Sequence, residues 1–295
     1  MESFGSNNII KLLVITSLIF SSASIVADNG KPDLWKVESK ESTSYLFGSI
    51  HLGSKDMYPL SDIVNKSYNE ADNLVVEINL KPGDEVKMAP MVLKHGFNFL
   101  VPLEQRLSAE GLAVYQTVCK EKELPCTSFS SYDAWLLSVQ LSVSMMQQLG
   151  YQEELGIDKH FLKLAHQSNK KVINLETALQ QFKMISGFNL KQQEIMLVQS
   201  LLATDKEIDQ LFAAWKTGDD KAMIEMFSKG SEQAEIRDMN KALFDDRNIK
   251  MTEKISDHMK ENKTLFVVVG AGHIVGDMGI VELLRKKGHK VTQIQ

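Results

Sequence analysis

Four polar residues stand where apolar strand-like runs end. They are His51 after "YLFGSI", Glu77 in "NLVVEINL", Glu176 closing "KVINLE" and His273 after "TLFVVVGAG". Both histidines close a Gly-x-x-His pattern, Gly48 to His51 and Gly270 to His273. The glycines let backbone and substrate approach closely. A carboxylate within an apolar strand is costly unless it is paired, protonated or bound to a cation, so Glu77 calls for a partner. Two histidines and a glutamate can bind a divalent metal with positions left open for water. They can also work without metal, as acid and base. Taken singly, each has an ordinary reading: a satisfied core histidine, or a glutamate serving helix-terminal electrostatics. Two Gly-x-x-His loops together with a strand glutamate are harder to dismiss.

Rival motifs fail on detail. Gly48-x-x-x-x-Gly53-Ser54-Lys55 approaches a phosphate loop, but its serine and lysine are in the wrong order and Asp56 adds a negative charge. Gly270-x-Gly272-x-x-x-Gly276 approaches a dinucleotide fingerprint, but its third glycine is late and the strand after it, "HKVTQIQ", carries no acid for a ribose. There is no His-Glu-x-x-His pair and no Gly-x-Ser-x-Gly elbow. The formal net charge of −5 comes without a basic, aromatic-studded stripe, so no nucleic-acid partner is expected.

The elements that must position these residues follow from periodicity. "DLWKVES" and "SYLFGSIH" read as a hairpin, and "NLVVEINL", "KKVINLE", "TLFVVV" and "HKVTQI" as further strands. Helical spacing fills most of the rest, notably from Thr177 to Glu261. "SYDAWLLSVQLSVSMMQQLG" offers Ser131 or Asp133 as a cap and Gly150 as a stop. Seven methionines between Met184 and Met259 read as filler of a helical core rather than a binding groove. The expected fold is α/β, a central mostly parallel sheet with a large helical insertion. Ligands in such sheets bind off the carboxyl ends of strands.

Lys11 and the apolar run "LLVITSLIFSSASIVA" read as a signal peptide over residues 1–27, with an uncleaved N-terminal anchor as the alternative, leaving one α/β domain over 28–295 in the periplasm or outside the cell. No later stretch is apolar enough to span a bilayer. Cys119 and Cys126, with six residues between them including Pro125, then read as a structural disulfide. A two-cysteine zinc half-site is the alternative, with no second pair nearby to complete it.

The blocks "LFGSIHLG", "LVVEINL", "LGIDKHFLKLA", "VINLETALQQF", "DDRNIKM" and "VVVGAGHIVGDMGIVELLRKKGHKVTQI" together resemble the TraB/PrgY/GumN family, which includes the TIKI proteases. The resemblance covers the chain after the leader. It implies a site of two Gly-x-x-His motifs and a glutamate, here His51, His273 and Glu77. The family's Arg-Asn pair falls on Arg247-Asn248, its Gly-Ile-Asp block on Gly156 to Asp158, and its Leu-Glu-Thr block on Leu175 to Thr177. For the TIKI branch it implies a metal-dependent peptidase, so His51, Glu77 and His273 become candidate ligands for manganese, cobalt or zinc. Esterase-like relatives imply a metal-free His/Glu hydrolase instead, and haem-binding relatives a sequestering protein. The substrate, peptide or small molecule, stays open. Arg247 has two readings: an ion pair with Asp245 or Asp246, or a clamp for a substrate carboxylate or oxyanion. Asp158 and Glu176 are candidates to orient the histidines. His95, His160, His166, His258 and His289 read as surface or ordinary helical residues.

Overall fold

The computed structural model describes residues 31–40, 42–79 and 84–295; the expected leader lies outside them. Strands β1 (Leu34–Glu38) and β2 (Thr43–Ser49) form the expected hairpin, with Leu34 opposite Phe47. Helix α1 (Asp62–Glu70) leads to β3 (Asn73–Val76). Four helices follow: α2 (Asp84–Gly96), α3 (Ala109–Glu121), α4 (Ala134–Gln148) and α5 (Ile157–Ser168). After β4 (Lys171–Asn174) come α6 (Ala178–Ser186), α7 (Leu190–Leu202), α8 (Asp205–Thr217), α9 (Asp220–Ser228), α10 (Ala234–Asn240) and α11 (Asp246–Met259). The chain closes with β5 (Leu265–Gly270), α12 (Ile280–Lys286) and β6 (Lys290–Gln293).

The sheet order is β4-β3-β5-β2-β1-β6. The β4, β3, β5 and β2 strands run parallel, while β1 pairs antiparallel with both β2 and β6. The α/β class and the largely parallel sheet are as expected. The helical part differs in one respect: it enters as two blocks, one on each side of β4, rather than as a single insertion.

Strand alternation divides the core between the two faces of the sheet. Phe47, Leu74, Val76, Phe266 and Val268 pack with Tyr68 of α1, Phe161 of α5, and Phe212 and Trp215 of α8. Leu46, Val75, Leu265, Val267 and Val269 pack with Met251, Ile255 and Met259 of α11 and with Ile280 and Leu284 of α12. Met223 and Met239 are buried too, so these methionines are core filler. Thr177, Asn189 and Thr204 start α6, α7 and α8 with reciprocal capping boxes. Helix α4 does begin after Asp133, but that carboxylate pairs with Arg106 and caps no amide. Its C-terminal stop is Gly150, at φ +91°.

A third apolar cluster joins α3, α4 and α7. Beside it Cys119 and Cys126 are disulfide-bonded, and the Tyr115 hydroxyl donates to the Cys126 carbonyl at 3.0 Å. Closing so short a loop contributes roughly 2–3 kcal/mol through the unfolded chain. Reduction, or a Cys119→Ser/Cys126→Ser double variant, is expected to cost that much in urea unfolding. A midpoint unchanged by reductant would show that the bridge adds nothing.

Candidate active site

The parallel register brings the four strand-end residues to one edge. Ser49 lies beside Gly270, Val76 beside both Val268 and Asn174. So Glu176 leaves β4, Glu77 leaves β3, His273 follows β5 and His51 follows β2, all at carboxyl ends, where such sheets bind ligands. Glu77 is not within the strand, as its sequence context suggested, but is the residue just past its end. Its carboxylate is thereby aimed across the sheet edge instead of into a core face.

Glu77 is buried and fully engaged. Oε1 accepts the Gly270 N–H at 2.6 Å, and Oε2 accepts from Arg247 Nη2 at 2.8 Å and Gln181 Nε2 at 3.1 Å. Arg247 also donates from Nε and Nη2 to Glu176 at 2.7–3.1 Å and from Nη1 to the Leu243 carbonyl at 2.8 Å. Gln181 bridges to Glu176 as well, at 2.9 Å. One guanidinium thus holds two buried carboxylates in a charge-assisted network. Burial opposes the charge on Arg247, but Glu176 and Glu77 outweigh it and stabilise the cation. The ion-pair reading of Arg247 is corrected: it pairs with Glu77 and Glu176, not Asp245 or Asp246, and one Nη1–H is left for a ligand. Glu176 orients this arginine rather than a histidine.

The two histidines are tuned in opposite directions. His273 is buried, and its Nδ1 lies 2.6 Å from Asn248 Oδ1. The Asn248 amide nitrogen donates to the Met278 carbonyl at 2.8 Å, which fixes Oδ1 as the acceptor. His273 therefore carries its proton on Nδ1 and turns the Nε2 lone pair toward Glu77 Oε1, 3.7 Å away. Burial pushes the ring down to about 4; Glu77 opposes this and Arg247 adds to it. Burial alone would raise the Glu77 carboxyl, but His273, Arg247 and the Gly270 N–H hold it below its ordinary value. With His273 neutral at pH 7, the guanidinium and the N–H carry that stabilisation. An Asn248→Asp variant would set a carboxylate against Nδ1–H. The His273 ring is then expected to titrate about one to three pH units higher, measurable by ring NMR. An unmoved titration would show that Asn248 does not hold the tautomer.

His51 is set apart. Its side chain is 66% exposed, with Nδ1 3.4 Å from Asp158 Oδ1. Asp158 raises it to about 9 against the opposing effect of burial, with Glu77 adding to the rise. Nδ1–Oδ1 is an ion-pair distance without hydrogen-bond geometry, because Asp158 Oδ1 accepts no bond. Solvent around the exposed ring also screens the pair. Asp158 thus favours the His51 cation, by less than the full rise to about 9 because the ring is open to solvent. Backbone contact places the loop: Ile157 N–H donates to the Ile50 carbonyl at 3.0 Å, and Gly53 and Gln152 exchange bonds at 2.7 and 2.9 Å. A Cβ on Gly156 would lie 2.1 Å from the His51 carbonyl oxygen, so the Gly-Ile-Asp block needs glycine to bring Asp158 up to His51.

Glu77, Arg247 and His273 are brought together; His51 joins them only through its field. A catalytic metal takes at least three protein ligands. Among the described residues no three His, Cys, Asp or Glu side chains gather to hold one. Both Glu77 oxygens already accept hydrogen bonds, and a guanidinium at 2.8 Å repels a second cation. As arranged, His51, Glu77 and His273 do not fit a metal. Two residues outside the expected set complete the centre. Asn248 was visible only as the neighbour of Arg247, and Gln181 only as a polar residue one turn into the helix after "LET".

Residues 33–293 match the model of the TraB/PrgY/gumN family, and the chain belongs to that family. An uncharacterized protein YbaP from Shigella flexneri is 29% identical over 250 residues, covering 82% of this chain and 88% of the relative. An uncharacterized protein from Treponema pallidum is 19% identical over 274 residues, covering 86% and 80%. No solved structure matches the chain.

Proposed function

We propose that the protein is an exported hydrolase of ester or amide carbonyls that uses His273 as base and His51 as acid, with Glu77 beside the base. The observation that supports it is the contrast between the two Gly-x-x-His histidines: His273 is buried on Asn248 and favoured neutral, while His51 is exposed beside Asp158, which favours its cation. Groups pushed apart in this way divide acid and base work in one site. His273 Nε2 takes a proton from the attacking water. The imidazolium formed is stabilised by Glu77, and its Nδ1–H stays on Asn248. His51 gives its proton to the leaving group and recovers it by exchange with solvent, to which the ring is open. Arg247 keeps Glu77 ionised. The leader-like N-terminus and the disulfide support a periplasmic or secreted location.

The test is hydrolysis of nitrophenyl esters and fluorogenic peptides by chain stripped of metal. Activity is expected to survive chelation, to fall about 10²–10⁴-fold in His273→Ala and Glu77→Gln, and to decline below about pH 4 and, on the alkaline side, between the ordinary imidazole value of 6.5 and about 9. Activity lost to chelator and restored by manganese, cobalt or zinc would instead favour the metal-dependent peptidase reading. Intact activity in both variants would sink the site itself.

A further inference from the structure

A cavity lies beside His273, lined by its neighbour Gly272 and its partner Asn248. It encloses about 290 Å³. One wall is a single stripe along α10, the π-helical turn Lys241–Asp245 and α11: Arg237, Lys241, Phe244, Asp245 and Asn248. A second wall comes from Ile224 and Phe227 on α9, and a third from the loop after β5 between Gly272 and Gly279.

The charges on these walls are unevenly satisfied. Lys241 pairs with Asp246. Among the described residues Arg237, Asp245 and Asp277 make no ion pair, though all three line this cavity; Arg237 and Asp277 are exposed. Asp245 is half-buried, a cost that a cationic partner would relieve. The same cavity is lined by the Phe227 and Phe244 rings, 5.5 Å apart, and Ile224. A cation and a carboxylate in one cavity beside two aromatic rings match a small zwitterion with an apolar side chain, and the volume is at the small end for ligand pockets.

We infer that this cavity binds a free apolar α-amino acid, its carboxylate on Arg237, its ammonium on Asp245 and its side chain against Phe227 and Phe244. The site adjoins the catalytic centre through two contacts. Asn248 lines the cavity and holds His273 Nδ1, and the Phe244 ring lies 5.4 Å from the His273 ring. Gly272 keeps the aromatic wall close, since a Cβ there would be 2.8 Å from Phe244 Cε1. Occupancy is therefore felt at the base without blocking its Nε2 face. The inference does not depend on the hydrolase reading, because its test is binding.

The experiment titrates the chain with L-phenylalanine, 3-phenylpropionate (no ammonium) and phenethylamine (no carboxylate), following the Asn248 side-chain amide by NMR. L-Phenylalanine is expected to saturate with a Kd of about 1 mM or below, and each analogue to bind at least about tenfold more weakly. Arg237→Gln should erase the preference over phenethylamine, and Asp245→Asn the preference over 3-phenylpropionate. Equal binding of all three probes to the unmodified chain, no saturation by about 10 mM, or unaltered preferences in both variants would overturn the inference. The probe comparison needs no variant, so it stands even if a substitution disturbs folding.

Discussion

Replacing Arg247 with alanine is expected to cost about 3–5 kcal/mol of stability and to abolish hydrolysis. Among the described residues the arginine is the only cation hydrogen-bonded to the buried carboxylates of Glu77 and Glu176, whose side chains are 10% and 12% exposed. Its removal strands two like charges bridged only by Gln181. The pH dependence should change sign as well. In the native chain Glu77 is held below its ordinary value, so its contribution is present above that value and is lost as pH falls through the depressed one. Without Arg247, burial dominates and the Glu77 carboxyl rises. The variant then loses stability as pH increases from about 4 toward neutrality, a range over which the native contribution of Glu77 is already fully present. Urea unfolding at pH 4.5 and pH 7.5 decides the matter. A variant with the native slope would mean that Arg247 does not govern these carboxylates. Arg247→Lys separates charge from geometry: one ammonium cannot serve both acids as the planar fork does. It should recover part of the stability and little of the activity.

That network explains what the sequence could and could not disclose. Strand ends were legible because Val- and Ile-rich runs stop at polar residues, and both Gly-x-x-His loops announced themselves by repetition. Their convergence is a matter of register, which pairs Ser49 with Gly270 and Val76 with Asn174 across stretches of roughly a hundred residues or more. Local pattern does not encode it. Arg247 shows the limit most clearly. In sequence it neighbours Asp245 and Asp246, and only the π-helical turn before α11, with the packing of α11 on the sheet, turns it to Glu77 and Glu176. The same turn carries Phe244 to the His273 ring. Such turns gather at functional places because one extra residue re-aims the side chains after it. The metal expectation rested on residue types, and types alone cannot reveal that a guanidinium already occupies the glutamate.

Asp33→Asn is expected to stabilise the protein, by more at pH 8 than at pH 4. Asp33 is buried just before β1, and its Oδ1 accepts from Gln293. Its Oδ2 and Asp220 Oδ1 are both buried without a donor, yet the two carboxyls lie within hydrogen-bonding reach. The two observations agree if one carboxyl keeps a proton and donates it to the other. Asp220 is the first residue of α9, where the helix dipole favours a carboxylate, so the proton resides on Asp33. Burial first, then Asp220 and Asp219, push Asp33 up to about 8 against the bond from Gln293. The folded chain thus binds a proton that the unfolded chain releases near its ordinary value of 3.8. Stability falls as pH rises from there until about 8, then levels. An asparagine amide supplies the missing donor at every pH, so the gain should be close to nil at pH 4 and about 1–3 kcal/mol at pH 8. Asp33 and Asp220 line a small hollow with Gly48 and Ala271, behind both Gly-x-x-His loops. The variant should therefore keep its turnover at pH 7 while resisting alkaline unfolding. A uniform loss of stability at both pH values would show instead that the two aspartates share no proton.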